Sequence, residues 1–193
     1  MHYCGIVPMQ RQLQLALVEE VRDPEPPIRL SALFYEPGSA EQVAAELSAL
    51  GEIVIAVARE LQDVVEALDL EVFSQDADGP VPEGAYQDFP LVPTDADGVF
   101  YALQGRRLPA KRHPYGIRLR IEELLGDRIT DEGGDLWHRR IEEIDALACA
   151  LCAHRYAVGH AYWLDGVVLP GTSLPETFSS KGVMPPVERL SLP

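Results

Sequence analysis

One carboxylate, Asp145, lies in an otherwise apolar run of the sequence. From Ile144 to Ala153 no other residue carries a charge. A helix without a polar face is normally buried on every side. An unpaired buried carboxylate costs several kcal/mol, against a total stability of roughly 5 to 15 kcal/mol for a domain. A basic or hydrogen-bonding group must therefore compensate Asp145, or its pKa is raised. Arg59, which directly follows an apolar strand-like run, is one candidate partner.

Two other groups of residues near Asp145 have types that could do chemistry. His138 and Glu142 are spaced to share a helical face with Asp145, so a single metal ion is one interpretation. A solvated start of the helix explains His138 and Glu142 more simply. Cys149 and Cys152 form a C-x-x-C pair, but both lie in the middle of the helix, where no dipole lowers a thiol pKa. They are predicted to be small core residues.

The segment from Arg106 to Arg120 contains the chain's basic residues at their highest density. Lys111, Arg112, Arg118 and Arg120 are candidate contacts to nucleic-acid phosphates, with Tyr115 available for stacking. The alternative is that these residues pair with the acidic first half, because residues 1–105 contain 19 acidic and 4 basic residues. A net charge of −15 would weaken any affinity for nucleic acid.

The composition fits one domain in a reducing compartment. The chain has 193 residues, of which 47% are hydrophobic, enough for one sizeable core. Its three cysteines do not suggest a disulfide framework, and a cytoplasmic location is expected. No apolar run reaches the length of a membrane span, so no membrane contact is expected.

The pattern of elements favours an α/β domain. Two runs of residues near the N-terminus, followed by "IRLSALFYE", predict three antiparallel strands. "SAEQVAAELSALG" predicts a helix capped by Ser39, and "IVIAVA" predicts a buried strand. About 30 residues after that strand are loop-like, and the two "DADG" sequences within them are interpreted as Asx turns. Helices are expected at "YGIRLRIEELLG" and from about Trp137 to Val158.

Two segments, 98–126 and 142–170, resemble a bacterial and archaeal domain-of-unknown-function family of predicted RNase H-like nucleases. The family's Lys…Gly…Arg…Leu-Leu and Asp-Ala-Leu-x-x-Ala patterns are matched by Lys111, Gly116, Arg120, Leu125, Asp145, Ala146, Leu147 and Ala150. The resemblance implies a single RNase H-like α/β domain over residues 1–170, with a mixed sheet of three antiparallel strands, a helix and a further strand, and helices packed on the sheet.

The resemblance also implies chemistry, but the sequence departs from the pattern that supports it. In such enzymes several carboxylates hold divalent metal ions that act on a phosphodiester. Three acidic positions of the family pattern are occupied here by Val7, Ala58 and Pro93. We therefore predict a degenerate member that has no cofactor and acts as a binding or structural protein.

The alternative is a metal-dependent nuclease or phosphodiesterase with a rebuilt carboxylate site around Asp145. Asp97 and Glu142 are its candidate metal ligands, Asp95 and Glu60 lie close in sequence, and Mg²⁺ or Mn²⁺ is required only in this case.

The C-terminal segment 171–193 is rich in proline and has no periodicity. Its prolines and its lack of periodicity disfavour a helix or a central strand. Five apolar residues, Val183, Met184, Val187, Leu190 and Leu192, are available for burial. We expect this segment to dock in an extended form, on its own domain or, preferentially, on a second copy as the arm of a homodimer.

Overall fold

The fold was analysed in a computed structural model, which describes residues 1–21 and 29–171. The strands are β1 (His2–Met9), β2 (Gln12–Val21), β3 (Arg29–Phe34), β4 (Ile53–Ala58), β5 (Gly79–Pro80), β6 (Leu91–Thr94), β7 (Ile129–Asp131), β8 (Ala161–Leu164) and β9 (Val167–Pro170). The α-helices are α1 (Ala40–Ser48), α2 (Gln62–Leu68), α3 (Ala96–Gln104), α4 (Pro114–Gly126) and α5 (Ile141–Ala157). Short 3-10 helices span Ala85–Gln87 and Leu136–His138.

The main sheet has six strands in the order β6-β4-β1-β2-β3-β7. Strands β1, β2 and β3 are antiparallel neighbours, whereas β4 is parallel to β1 and β6 is parallel to β4. The order β1-β2-β3-α1-β4 along the chain is the one that the sequence predicts. The predicted architecture, a mixed sheet with helices packed on it, is confirmed.

Helices cover both faces of this sheet, and alternation along the strands separates two cores. On one face, Cys4 and Ile6 of β1 pack with Val43 and Leu47 of α1. On the other face lies α5, whose residues from Glu143 to His154 are all buried. A helix buried all round needs no polar face, which explains the apolar run around Asp145.

Gly5 fixes the distance between α5 and β1. A Cβ atom built on Gly5 would lie 1.9 Å from the backbone oxygen of Ala146 and 2.3 Å from the backbone nitrogen of Ala150. Only a residue without a side chain allows this approach. The start of α5, and with it Asp145, is therefore held against the sheet.

A second, smaller sheet has the order β5-β8-β9 and extends the α5 side of the core. The hydroxyl of Thr94, at the end of β6, donates a hydrogen bond of 2.7 Å to the backbone oxygen of Val168 in β9. Cys149 and Cys152 are fully buried in this core, and Cys4 is fully buried in the other. The prediction that the C-x-x-C pair consists of core residues is confirmed.

Several predicted elements have different bounds. Helix α1 is capped by Ser39 in a capping box with Gln42, as expected, but α5 begins at Ile141 because a 3-10 helix occupies residues 136–138. The loop-like interpretation after β4 was wrong for residues 91–104, which form β6 and α3. The second "DADG" sequence is the start of α3, where the Asp95 carboxylate accepts a hydrogen bond from the Gly98 N–H.

Two predictions concern segments that are not among the described residues. The C-terminal arm (residues 172–193) and the proline-rich turn at residues 23–27 lie outside the described residues. Within the described ranges, none of the helices combines the length and the apolar character that a membrane crossing requires.

Candidate functional site

Lys111 is the group that compensates Asp145. Its Nζ lies 2.8 Å from Oδ2 of Asp145, whose side chain is 9% exposed. The prediction that Arg59 compensates Asp145 was wrong. Arg59 is exposed, and its guanidinium lies beside Gly166 in the turn between β8 and β9. Position in the sequence next to a strand end did not determine where this long side chain points.

A second carboxylate, Asp97, joins the same cluster from the first turn of α3. Its Oδ2 lies 3.8 Å from Nζ of Lys111, and its Oδ1 accepts a 2.8 Å hydrogen bond from Nη2 of Arg120. The four residues Asp97, Lys111, Arg120 and Asp145 are called the polar cluster below. Its two negative and two positive charges balance one another.

The loop before α4 brings the members of the polar cluster together. Arg120 is 3% exposed, and its Nη1 donates to the backbone oxygens of Pro109 and Gly116 at 3.0 Å each. A Cβ on Gly116 would lie 2.3 Å from the backbone oxygen of Ala110, so the loop that carries Lys111 can pack this closely only on glycine. Arg120 therefore links α4, this loop and Asp97.

Burial sets the electrostatics of the cluster. It raises the pKa of Asp145 to about 6, and Lys111 only partly opposes this rise. Burial would lower the pKa of Lys111, but the carboxylates of Asp145 and Asp97 raise it overall, so the ammonium stays charged at neutral pH. The second oxygen of Asp145, Oδ1, is buried and has no hydrogen-bond partner among the described residues. This orphaned oxygen is consistent with the raised pKa.

The neighbouring strand ends are apolar. Val7 of β1 and Ala58 of β4 are 4% and 6% exposed and belong to the core beneath α5. At the end of β6, Pro93 pairs with Val57, which faces α1 and α2, so Thr94 occupies the α5 face there. That Val7, Ala58 and Pro93 stand at acidic positions of the resembled family stays a prediction.

The remaining acidic candidates do not complete a metal site. Asp95 caps α3, and burial and the charge of Asp97 raise its pKa. Glu60 is exposed, and Glu142 is partly exposed in the first turn of α5. In the described parts of the chain, no group of three or more His, Cys, Asp or Glu residues is arranged to hold a metal ion. Lys111 already lies between the two converging carboxylates, so the residues present do not fit a bound divalent cation.

The basic segment divides into buried and exposed members. Arg120 binds Asp97 of the acidic first half, as the alternative predicts, whereas the nearest carboxylate to Lys111 is Asp145, in the second half. Arg112 is exposed, and Arg118 is exposed and forms a 2.7 Å pair with Glu122 one turn along α4. Contact of Arg112 and Arg118 with nucleic acid stays a prediction.

Comparison with solved structures finds chains with a similar fold. No family model matches the chain, and no curated protein matches it. The fold is similar to that of the Thermus thermophilus RuvC structure, with 20% sequence identity and a TM-score of 0.47 over 78% of this chain and 91% of that chain. The fold class itself follows from the strand order of this chain.

Sequence reasoning found the members of the polar cluster but not their connections. Lys111 and Arg120 were predicted as phosphate contacts, although their pattern and the separate pattern that contains Asp145 carry the same resemblance. That common resemblance was the available signal for a shared site. Thr94 was missed because β6 was not predicted, and an isolated threonine after "LVP" gives no signal of its own.

Proposed function

We propose that this protein is an RNase H-like domain that has lost metal-dependent nuclease activity and acts as a binding or structural protein, with the cytoplasm as its expected location. The position of Lys111 between Asp145 and Asp97 carries this proposal. An ammonium group there supplies the positive charge that a divalent cation would otherwise supply.

A metal ion could enter only at a high electrostatic cost. It would have to displace Lys111 or lie beside it, and Arg120 adds a second buried positive charge that already binds Asp97. Metal-assisted phosphodiester hydrolysis needs several carboxylates that converge on the ions. Val7 and Ala58 supply none, and Asp95 is engaged as a helix cap. The internal ion pairs keep the fold while the chemistry is absent.

Among binding functions, the exposed arginines support the binding of nucleic acid. Arg112 and Arg118 lie near the start of α4, with Tyr115 between them and 52% exposed. Few phosphate contacts and a net charge of −15 imply weak, strongly salt-dependent binding. The matched comparison is Arg112→Ala with Arg118→Ala against Arg59→Ala with Arg128→Ala, measured as single-stranded DNA affinity at low salt. A loss of DNA affinity in the Arg112→Ala, Arg118→Ala variant alone supports nucleic-acid binding. Equal losses of affinity in both double variants exclude it.

The absence of catalysis is tested with purified protein and single- and double-stranded DNA and RNA. With Mg²⁺ or Mn²⁺ we expect no cleavage above the level of Asp145→Asn. Cleavage that Asp145→Asn abolishes would overturn the proposal, because it would place a working metal site at this carboxylate.

The alternative, a metal-dependent nuclease with a rebuilt site, has one observation in its favour. Asp97 and Asp145 do converge on a single cation, although that cation is Lys111. In this alternative Lys111 must withdraw and Glu142 must turn toward Asp145. Isothermal titration of Mn²⁺ separates the two cases, since binding that Asp97→Asn weakens belongs to the alternative alone.

A further inference from the structure

A groove outside the polar cluster lies beside the small sheet. Its volume is about 500 Å³, and its walls are residues 73–75 and 82–89. Sites of roughly 300 to 1,000 Å³ commonly hold ligands. At its base Phe73 packs edge-on against Phe89 at 6.0 Å and against Tyr156 and Trp163 at 5.5 Å. Phe89 is 37% exposed, so this aromatic cluster is open to solvent at the groove.

The groove also has an unbalanced charge. Glu83 and Asp88 line it, and neither forms a salt bridge with any residue in the described ranges. The occupant that complements these walls combines a positive charge with apolar side chains. The chain itself has such a combination at Lys181, Val183 and Met184.

The C-terminal segment leaves the domain close to this groove. The N–H of Gly171 donates to the His160 oxygen at 2.8 Å, and the N–H of Val81 donates to the Ala161 oxygen at 3.0 Å. The order β5-β8-β9 therefore separates Gly171 from Val81 by two strand spacings, about 10 Å. Val81 leads directly into the groove wall. From Gly171, the ten residues to Lys181 span up to about 30 Å at roughly 3 Å per residue, so the segment can reach every part of the groove.

We propose that residues 172–193 of this chain bind in the groove of the same molecule. Lys181 supplies the charge opposite to those of Glu83 and Asp88, and Val183 and Met184 supply apolar surface to match the exposed ring of Phe89. The occupant follows from three independent features, namely the nearby exit point, the charge complementarity and the open aromatic cluster. The proposal does not depend on the state of the polar cluster.

The test uses the full chain and the rate of trypsin cleavage after Lys181 and Arg189, followed by mass spectrometry. A bound segment is protected, so Glu83→Lys with Asp88→Lys should accelerate both cleavages at least tenfold. The matched control, Glu46→Lys with Glu66→Lys, changes the total charge equally on exposed positions of α1 and α2 and should leave the rates unchanged. Adding Lys181→Glu to the groove variant should restore protection of the Arg189 site.

Two results would overturn the proposal. Equal cleavage rates in the wild-type chain and the groove variant show that the segment is not bound there. A dimer in light scattering that the groove variant converts to a monomer shows that the segment occupies the groove of a second copy instead. A monomer with a protected segment supports binding within one molecule. Unchanged melting temperatures of the groove variant exclude unfolding as the cause of faster cleavage.

Discussion

The polar cluster and the apolar strand ends lie beneath or beside the start of the same helix, α5, but they differ in almost every respect. In the polar cluster, four charged side chains are held together from α3, α4, α5 and the loop before α4. At the strand ends, Val7 and Ala58 pack as ordinary core residues. The residues that carry the family resemblance in the second half of the chain thus form one bonded unit, whereas the first half contributes only the sheet.

This difference shows why the partner of a buried charged residue matters for the stability of the fold. A carboxylate whose only partner is a metal ion becomes a buried unpaired charge when the metal is lost. A carboxylate that also binds a lysine remains neutralised. Asp145 has such a partner in Lys111, so it can persist without metal chemistry.

The largest loss in the free energy of unfolding is expected when Gly5 is replaced, because α5, which carries Asp145, packs there against β1, which carries Val7. In Gly5→Ala the new methyl group would lie within 2.3 Å of two backbone atoms of α5. The helix must move away from β1, and we expect a loss of more than about 4 kcal/mol in the free energy of unfolding, or no folding at all. Urea denaturation measures it.

Gly126→Ala is the matched control, because a Cβ there meets nothing within 4 Å. At this helical position alanine should be neutral or stabilising by up to about 1 kcal/mol. Similar losses in both variants would mean that close packing at Gly5 does not hold α5 in place.

Breaking the polar cluster at Lys111 should have the next largest effect. Lys111→Met leaves Asp145 buried without a partner, which typically costs 3 to 5 kcal/mol; the 42% exposure of the lysine side chain lowers the expectation to about 3 kcal/mol at pH 7. Adding Asp145→Asn should recover part of this loss, and the double-mutant cycle measures the coupling. Arg59→Ala should have almost no effect, and a coupling of Asp145 with Arg59 instead of Lys111 would contradict the assignment.

The pH dependence of stability sharpens the comparison further. In the unfolded chain the Asp145 carboxyl has its ordinary pKa of 3.8, but burial in the folded protein raises this pKa to about 6. Folding therefore favours protonated Asp145. The stabilisation that results is complete below about pH 4 and is lost as the pH rises through 6. Relative to Asp145→Asn, the wild-type protein should lose up to about 3 kcal/mol between pH 4 and pH 7. Parallel stability curves for the two proteins would show that Asp145 has an ordinary pKa.

The smallest change in the free energy of unfolding is expected for a substitution at the surface of α4. Arg118 pairs with Glu122, but their side chains are 63% and 41% exposed. Arg118→Ala should leave the free energy of unfolding almost unchanged. Arg120→Ala, two positions along the same helix, strands Asp97 and two backbone oxygens and should cost several times more. Comparable losses would show that burial does not distinguish these two arginines.

The sequence predicts those parts of the fold that depend on local signals. Ser39 and Gln42 form a capping box from residues three apart, and alternation along β1 and β2 places each side chain on its face. Both signals lie within a few residues of one another, and the predicted Ser39 N-cap and antiparallel strands are confirmed.

Elements that depend on distant partners were not predictable in this way. Gly98 lies in the first turn of α3, glycine disfavours helix formation, and tertiary packing of Val99 and Phe100 outweighs that preference. The pairing of Lys111 with Asp145 spans 34 positions and depends on the close packing of the loop on Gly116. Composition indicated that Asp145 needs a partner, but only the fold shows which one.

The three buried cysteines have a practical consequence for chemical labelling. Burial raises the pKa of Cys152 to about 12 and those of Cys4 and Cys149 well above the ordinary range. Since the thiolate is the form that reacts with maleimides and iodoacetamide, all three should remain unmodified in the folded protein at neutral pH. A cysteine introduced at an exposed position such as Ala45 of α1 would then carry a fluorophore or spin label selectively, without prior removal of the native thiols. Modification of the native thiols under these conditions would instead report transient opening of the core.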